Sequence, residues 1–270
     1  MQLPNTINCN CTPAGVFLLT TKGRPMRNLR ILAAAGLLAA AGAAQAGVST
    51  TWTLTNDYDF RGNSQSSKDP AIQASLDYAA DGGWYIGAWG SNVDFGPGVG
   101  VNYEVDLYSG FTKSYDNGFG WDAGIVYYTY PDETDFNYFE VYGSVTYNWF
   151  KGKIWYSDKF GGNAAEDAAK AFAGTDQVSA WYIEGNGTFP LPANFSLLLH
   201  AGYSTGDYWD NVFGDNQLDW SAGVGYTLGH FNMALKWVDT DSDTVIKDDA
   251  FNNEGRVIFT VATTFPWSKE

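Results

Sequence analysis

The chain has 270 residues, of which 15 are Lys or Arg and 30 are Asp or Glu, so its formal charge at pH 7 is −15. Aromatic residues make up 17% of it and glycine occurs 31 times, whereas cysteine occurs only twice. A chain this acidic repels nucleic acid and anionic surfaces and favours cations, which excludes a role in binding nucleic acid.

The first 46 residues have the pattern of an export signal. Arg27 and Arg30 form a basic start after Met26, residues 31–43 are an apolar run, and residues 44–46 fit a small-residue cleavage site. This is the pattern of a Sec-type signal peptide, and the apolar run is too short for a membrane-spanning helix. We therefore expect a signal peptide over residues 26–46 and interpret residues 1–25 as an over-extended gene start.

The mature chain, residues 47–270, is interpreted as one domain. It lacks Cys9 and Cys11, so it can form no disulfide and no thiolate metal site. It keeps eleven Lys and Arg against thirty Asp and Glu, a formal charge of −19. None of its apolar runs approaches the roughly 20 residues that a spanning helix requires.

Twelve segments of the mature chain have the composition and alternation of β-strands. Most are close to the roughly 9–11 residues that a tilted strand needs to cross a bilayer. In chain order they are 48–60, 71–79, 84–92, 101–113, 119–130, 137–149, 153–159, 177–189, 194–204, 217–228, 230–238 and 255–265.

The segment 102–112 gives the alternation most clearly. Tyr103 and Leu107 fall on one face of a strand there, and Glu104 and Asp106 fall on the other. The apolar face meets either a protein core or lipid. Aromatic residues that gather near strand ends favour lipid, because they form girdles at membrane interfaces and a soluble sandwich has no need of them. These aromatics are Trp84, Phe119, Trp149, Tyr203, Tyr226 and Trp237.

The connections alternate between two kinds. Five are tight (80–83, 114–118, 150–152, 190–193 and Gly229), and the intervening six are longer and acidic (61–70, 93–100, 131–136, 160–176, 205–216 and 239–254). Short turns at one end and long loops at the other are the layout of an outer-membrane barrel. We therefore predict an all-β fold, a single antiparallel transmembrane β-barrel of about 12 strands, with both termini at the tight-turn end. Residues 164–173 are rich in helix formers and predict a short helix in an outer loop.

Several segments also resemble a known family. Asp-Tyr-Asp-Phe-Arg-Gly-Asn-Ser-Gln at 57–65, Asp-Pro-Ala-Ile-Gln at 69–73, Trp-Gly-Ser-Asn-Val-Asp-Phe at 89–95 and Glu-Val-Asp-Leu-Tyr at 104–108 occur in that order. Together they resemble the Gcw_chp family of uncharacterised proteins from Gram-negative bacteria, although Asn63 stands where a branched apolar residue is expected. The resemblance covers most of the mature chain. It implies a secreted envelope protein of unknown function, with no catalytic residue to transfer.

Charged residues on the inward face are the candidate site. Arg61, near the outer rim, is expected to pair with Glu104 or Asp106. Such a group forms either a constriction that selects solutes by charge or an internal salt-bridge network that fills the barrel, and the network is favoured because buried charges are usually paired. Acidic side chains outnumber the basic ones, for which only Lys236 and Arg256 are expected on the strands. The full set is Arg61, Asp77, Glu104, Asp106, Asp122, Glu140, Glu184, Asp219, Lys236 and Arg256.

Enzymatic and metal-binding signals are weak. His200 shares a strand face with Ser196 and Ser204, but the chain has no nucleophile motif, and a catalytic triad is recognised by its geometry. Residues 239–243 resemble the start of a calcium loop, yet Thr244 and Ala250 stand where that loop needs Gly and Glu. The sequence thus predicts no enzyme, no catalytic residue, no cofactor and no metal site.

Two functions remain open. The first is a narrow porin-like channel of the outer membrane with an acidic lumen that favours cations or neutral solutes. The alternative is a plugged structural or adhesion barrel that acts through its long acidic loops. Inward-facing glycines would make room for a pore, whereas inward-facing tyrosines would fill it. The expected partners are outer-membrane lipid and lipopolysaccharide, with small solutes or cations, and the sequence carries no signal for an oligomeric state. The glycines are Gly110, Gly124, Gly202, Gly223 and Gly225, and the tyrosines are Tyr108, Tyr128 and Tyr142.

Overall fold

The computed structural model describes residues 47–242 and 249–267. The expected signal peptide and the extension before it lie outside these residues, as does the middle of the 239–254 connection. The described residues form fourteen strands. They are β1 (Gly47–Thr55), β2 (Asp59–Phe60), β3 (Asn63–Ser64), β4 (Ala71–Ala79), β5 (Trp84–Asn92), β6 (Tyr103–Ser114), β7 (Phe119–Thr129), β8 (Tyr138–Tyr147), β9 (Phe150–Ser157), β10 (Ala180–Pro190), β11 (Phe195–Thr205), β12 (Gln217–Leu228), β13 (Phe231–Thr240) and β14 (Arg256–Phe265).

Twelve of these strands close into one antiparallel barrel. The order around the barrel is β1, then β4 to β14 in sequence, with β14 returning to β1, while β2 and β3 form a separate hairpin. The shortest barrel strand, β9, has 8 residues and the longest, β6 and β12, have 12, a length that suits a tilted crossing of a bilayer. The predicted fold class and strand number are confirmed.

The barrel closes along a seam between β1 and β14. Thr50–Thr55 pairs there with residues 260–265. The side chain of Asn56 then lengthens the ladder: its Nδ2 donates to the carbonyl of Val257 (3.1 Å), and its Oδ1 accepts from the amide of Phe259 (2.6 Å). Closure leaves no barrel strand with an unpaired edge, which lipid would not tolerate.

The outside of the barrel is apolar and the inside is polar. On β6, Leu107 is 53% exposed, whereas Glu104 and Asp106 are 2% and 0% exposed, the reverse of a water-soluble protein. Aliphatic side chains cover the middle of the outer surface, and aromatic ones ring both of its ends, as in transmembrane barrels. At the tight-turn end these are Tyr78, Trp84, Phe119, Tyr147, Phe150, Phe195 and Phe231; at the other end they are Tyr103, Tyr127, Phe139, Trp181, Tyr203, Trp220 and Trp237.

One tight turn differs from the prediction. The expected turn at 150–152 is wrong, because β9 already begins at Phe150, which pairs with Tyr147. The two residues between them make the turn, and Asn148 adopts the positive φ (53°) that such a turn requires and that Asn tolerates well. This shorter turn places Lys151 on the inward face of β9.

The long connections lie at the opposite end and contain the helices. The predicted loop helix is confirmed as α1 (Gly162–Ala173), which follows Gly161 and ends at Gly174, both with positive φ. A 3-10 turn (Thr134–Phe136) and a π-helical turn (Trp209–Phe213) lie in neighbouring loops. No helix among the described residues is long and apolar enough to cross a membrane.

The first long connection departs most from the prediction. The expected strand 48–60 ends at Thr55, and the expected outer loop 61–70 begins inside the barrel. Residues 57–66, the lumenal segment, are buried except for Asp59 and Phe60, which are half-buried. The prediction was wrong because the acidic residues of this segment form ion pairs with an arginine of the barrel wall, and these pairs hold the segment inside the barrel.

Candidate functional site

The lumenal segment folds as a hairpin. In β2 and β3, Phe60 pairs with Asn63 around a two-residue turn of Arg61 and Gly62. Both turn residues have positive φ (53° and 85°), as the type I′ turn that suits a two-residue hairpin requires. The Ser64 hydroxyl donates to Asp57 Oδ1 (2.6 Å) at the base of the hairpin. The hairpin is therefore specified locally and presents Arg61 at its tip.

Arg61 holds the tip against the wall. Its Nη2 lies 2.7 Å from Oε2 of Glu140 on β8, and that oxygen also accepts from the Tyr128 hydroxyl (2.9 Å). The guanidinium lies over the rings of Tyr182 and Phe60, with its Cζ 4.4 and 4.7 Å from their centroids, at distances that favour cation–π attraction. Burial is the largest single effect and lowers the pKa of Arg61, but the Glu140 carboxylate and the Tyr128 and Tyr138 hydroxyls together outweigh it, so this pKa lies above its ordinary value. The expected pairing with Glu104 or Asp106 is wrong, because the hairpin carries Arg61 across the lumen to β8.

Arg256, at the start of β14, is the second anchor. Its Nε lies 2.6 Å from Asp57 Oδ2, and its Nη2 pairs with Asp59. Its Nη1 also donates to the carbonyl of Gly62 (2.9 Å). A single wall residue thus binds both acidic residues of the lumenal segment, which accounts for the inward turn of the chain after Thr55.

The hairpin turn fits against β12 so closely that only glycine is tolerated. A Cβ on Gly62 would lie 2.8 Å from Cβ of Asp219 and 2.5 Å from Cγ2 of Thr240. Gln217 donates from Nε2 to the carbonyl of Arg61 (2.8 Å). The segment therefore contacts the wall at β8, at β12 and, through Arg256, at β14, which lies opposite β8, so it crosses the lumen.

Glu104 and Asp106 lie in the closed part of the interior, without a basic partner in the contacts described. Both are essentially inaccessible, and their carboxyl groups contact each other. Glu104 also contacts the hydroxyls of the buried Tyr58 and Tyr130. The two carboxyl groups are part of a filled interior.

Below the lumenal segment, a belt of touching side chains runs along the inner wall from β5 to β12. The Tyr85 hydroxyl donates to Asp122 (2.7 Å) and contacts that of Tyr142. Lys153 Nζ lies 3.6 Å from the ring centroids of both Tyr142 and Trp155. Trp155 in turn donates from Nε1 to Glu184 (2.9 Å). The belt alternates acidic, aromatic and basic groups.

His200 completes the belt. Its Nε2 lies 2.7 Å from Asp219 Oδ1, and its Nδ1 lies 2.8 Å from Asn186 Oδ1. The Tyr182 hydroxyl also donates to Asp219 Oδ1 (3.1 Å). These contacts join the imidazole to a carboxylate and an amide, and the strand serines near it in sequence take no part in them.

Several inward-facing glycines leave the space that a tyrosine side chain of the neighbouring strand occupies. A Cβ on Gly124 would lie 2.6 Å from the Tyr142 hydroxyl, and a Cβ on Gly202 would overlap with the Tyr182 hydroxyl. Gly87 and Gly110 lie under Tyr108 and Tyr85 in the same way. The glycines expected to widen the lumen thus include three, Gly110, Gly124 and Gly202, that instead allow it to be filled.

Among the described residues, solvent reaches the inward wall mainly at its tight-turn end. Near the long loops many inward side chains are inaccessible: Tyr128, Asp106 and Gln217 are each 0% exposed. Nearer the tight turns Asp77, Asp122, Lys151, Asn186 and His200 are half-buried although they face inwards. Because these side chains point into a closed barrel, the solvent that reaches them occupies the lumen. We call this half of the interior the vestibule.

All ten predicted site residues lie inside the barrel, but in separate groups. Arg61 and Glu140 pair, Arg256 binds the lumenal segment, and Asp77 accepts from the Tyr108 hydroxyl. Glu104 and Asp106 lie together, Asp122, Glu184 and Asp219 belong to the belt, and Lys236 is a buried residue of β13 beside Gly223. The expectation that only Lys236 and Arg256 supply positive charge on the strands is wrong.

The prediction from sequence missed several members of the site. Lys151 was missed because the turn before it is two residues long, and the alternation of β9 would have identified it once that turn was placed correctly. Lys153 begins the expected strand 153–159 but was not assigned to the inward face. Asp57 and Asp59 were missed because they read as the end of a strand. Within the two described stretches no group of three or more His, Cys, Asp and Glu side chains could hold a metal ion.

Comparison with solved structures supports the same architecture. The chain is similar to a structure described as "KdgM porin", with a TM-score of 0.50 and 8% sequence identity over 82% of this chain and 99% of that one. It is equally similar to the NanC porin, with a TM-score of 0.50 and 7% identity over 81% and 98% of the two chains. At such identities the likeness concerns the fold. No curated protein matches the chain. Residues 39–265 match the family described as bacterial protein of unknown function (Gcw_chp), so the chain belongs to that family.

Proposed function

We propose that the protein is a gated channel of the outer membrane, closed in the conformation described here by its lumenal segment. One observation carries the proposal. The inward side chains near the long loops are inaccessible, whereas those near the tight turns line a solvent-filled vestibule. A barrel serving only as a rigid scaffold has no need of a polar, solvent-filled half. With the long loops outside, as in other outer-membrane barrels, the vestibule opens to the periplasm.

The way the segment is held supports gating. Side-chain contacts at Glu140, Gln217 and Arg256 attach it to the wall, and its backbone pairs with no wall strand. Two backbone hydrogen bonds tie it to neighbouring loops, from Ser64 N–H to the Asn252 carbonyl (2.9 Å) and from Asp94 N–H to the Gln65 carbonyl (2.9 Å). Release of these contacts would leave the closed barrel hydrogen-bonded as before. Displacement of residues 57–66 would then connect the vestibule to the outer mouth.

The charge of the lumen favours small cations and neutral solutes over anions. Within the described interior, nine carboxyl groups face five Lys and Arg, because the lumenal segment adds Asp57, Asp59 and Arg61 to the wall. The outer mouth adds exposed acidic residues such as Asp132 and Asp135. An acidic path raises the local concentration of cations.

The alternative, a permanently plugged barrel acting through its loops, is favoured by the aromatic packing around Arg61. Tyr128, Tyr138, Phe160 and Tyr182 are all buried at the closed end. Such packing fits a plug that never moves. The two functions differ in the effect of releasing the segment: a channel opens, whereas a plugged barrel stays closed.

Planar-bilayer recordings test the proposal. We expect wild-type protein to show rare, small openings, and Arg61→Ala to show frequent openings whose reversal potential in a salt gradient indicates cation selectivity. Lys68→Gln is the matched control, since Lys68 is exposed beside the same segment and pairs with the exposed Asp249. If Arg61→Ala inserts as a folded barrel but stays silent, the plugged barrel is correct; anion selectivity would also refute the channel proposed here.

A further inference from the structure

The charges of the barrel wall are divided between its two sides. On β1 and β4–β8, the inward titratable groups at neutral pH are carboxyl groups alone among the described residues: Asp77, Glu104, Asp106, Asp122 and Glu140. Among the described residues, every inward-facing cationic or imidazole side chain of the strands lies on β9–β14, together with Glu184 and Asp219. The positive groups are Lys151, Lys153, Lys236 and Arg256, with His200.

The same division holds where solvent reaches the wall. In the vestibule, Asp77 and Asp122 are the accessible charges of the first side. On the second side Lys151 is the accessible lysine, and the half-buried His200 and Glu184 lie deeper along the same wall. Asp77 and Asp122 are held by hydroxyl donors, Ser75 (2.6 Å) and Tyr85 (2.7 Å), which fix them without neutralising them. A solute in the vestibule therefore lies between opposite charges.

The spacing suits a small molecule. Asp122 pairs in register with Ser144, and Ser144 pairs with Lys153, which is two residues from Lys151 on the same face. Strands β7 and β9 are thus separated by β8 and lie about 10 Å apart. Side chains of both strands extend into the same lumen, so a small molecule with two oppositely charged ends can contact Asp122 and Lys151 at once through charge-assisted hydrogen bonds of about 2.8 Å.

A simple ion is attracted by one side of the vestibule and repelled by the other, whereas a zwitterion can orient to satisfy both. We propose that the vestibule binds small zwitterions, free amino acids in chemical class, with the ammonium towards Asp122 and the carboxylate towards Lys151. This names the solute class of the proposed channel, but the binding itself requires only the vestibule of the closed state.

Saturation-transfer NMR on detergent-solubilised wild-type protein tests the proposal without requiring conduction. The probes are glycine, glycolate, ethanolammonium and glycolamide, which are similar in size and differ in charge. We expect glycine to bind at least about threefold more tightly than any of the others, the ratio that a partly exposed charge pair gives. Equal binding of glycine and glycolamide would overturn the zwitterion site and leave the conduction test unaffected.

Variants identify the site. Lys151→Gln and Asp122→Asn should each remove the preference for glycine, and Lys151→Glu should transfer it to ethanolammonium, a reversal that loss of structure cannot produce. Lys170→Gln, which makes the same change on the exposed surface of α1, should leave binding unchanged. Each variant is first required to migrate as a folded barrel in unheated gel samples. An unchanged preference in Lys151→Glu, or a loss of preference in Lys170→Gln, would refute the assignment.

Discussion

Four glycines of the inner wall each lie beneath a tyrosine ring from an adjacent strand. At Gly202 the hydroxyl of Tyr182 occupies the place that a Cβ would take, and that hydroxyl donates to Asp219. The glycine therefore does more than leave space: it sets the depth at which the ring lies and the carboxylate that its hydroxyl reaches. Inward glycine in this barrel is a packing residue.

Gly202→Ala tests this role. The new methyl group forces Tyr182 to move, which overpacks the interior and breaks the hydrogen bond to Asp219, so we expect a loss of about 1–3 kcal/mol in the free energy of unfolding. Urea unfolding in detergent or lipid measures it. Gly185→Ala on β10 is the matched control, because a Cβ there meets nothing within 4 Å and should cost less than about 0.5 kcal/mol. Equal losses of unfolding free energy in the two variants would contradict the packing of Tyr182 against Gly202.

At the residue scale the sequence predicts which way a side chain points better than it predicts which side chain it contacts. Alternation placed nine of the ten candidate residues inside the barrel, all but Arg61, because a strand in a two-sided environment fixes the face of each side chain. The ring that covers each glycine depends on register and rotamer across neighbouring strands, which periodicity does not contain. Arg61 shows the same limit, since its partner Glu140 is 79 residues away.

At the scale of elements, the lumenal segment is a small hairpin whose contacts with the barrel wall are made by side chains. Its own turn is local and could have been recognised from the Arg-Gly pair, which accommodates positive φ. Its direction could not have been recognised, because a polar loop has the same sequence pattern whether it points to solvent or into a polar lumen. That direction follows from Arg256, which lies about 200 residues later in the chain.

The Arg61–Glu140 pair should govern the local stability of this segment. Arg61→Met leaves a buried carboxylate without its cation, which costs about 3–5 kcal/mol. The cost should appear as faster hydrogen exchange in residues 57–66, by roughly two to three powers of ten, with little change in the barrel strands. The double variant Arg61→Met with Glu140→Gln should recover most of the protection, because it removes the stranded charge. If residues 57–66 exchange as fast in the double variant as in Arg61→Met, the loss of the ion pair is not the cause of the faster exchange.

Strand β6 provides a second element-scale prediction. Leu107 lies on the outward face at mid-strand, so Leu107→Arg should reduce the free energy of unfolding in bilayers by about 2–4 kcal/mol. Tyr115→Arg, in the tight turn beyond the same strand, should cost at most about 1 kcal/mol, because it lies near the interface. Similar costs at both positions would argue against a lipid-facing surface that depends on depth.

At the scale of the molecule, a closed ladder inside an apolar band gives the protein its solution behaviour. The folded protein should be recovered with outer membranes and need detergent for extraction, and it should migrate differently on gels before and after boiling, because its backbone hydrogen bonds close on themselves. Recovery of native protein from a detergent-free periplasmic extract would rule out the membrane-spanning barrel. This behaviour was predictable from sequence, since strand length, alternation and loop asymmetry all indicate the same fold.

The seam between β1 and β14 has a consequence for the order of assembly. It joins residues such as Thr55 and Thr260, more than 200 positions apart, whereas the other wall pairings link strands that are close neighbours in the chain. Non-local pairings are slow, because the chain between them must first be brought together. The seam can form only when the last strand has been made, and until then β1 and β14 each present an unpaired edge. Asn56, whose amide lengthens the ladder beyond the end of β1, therefore acts at the final step, when an open sheet becomes a barrel.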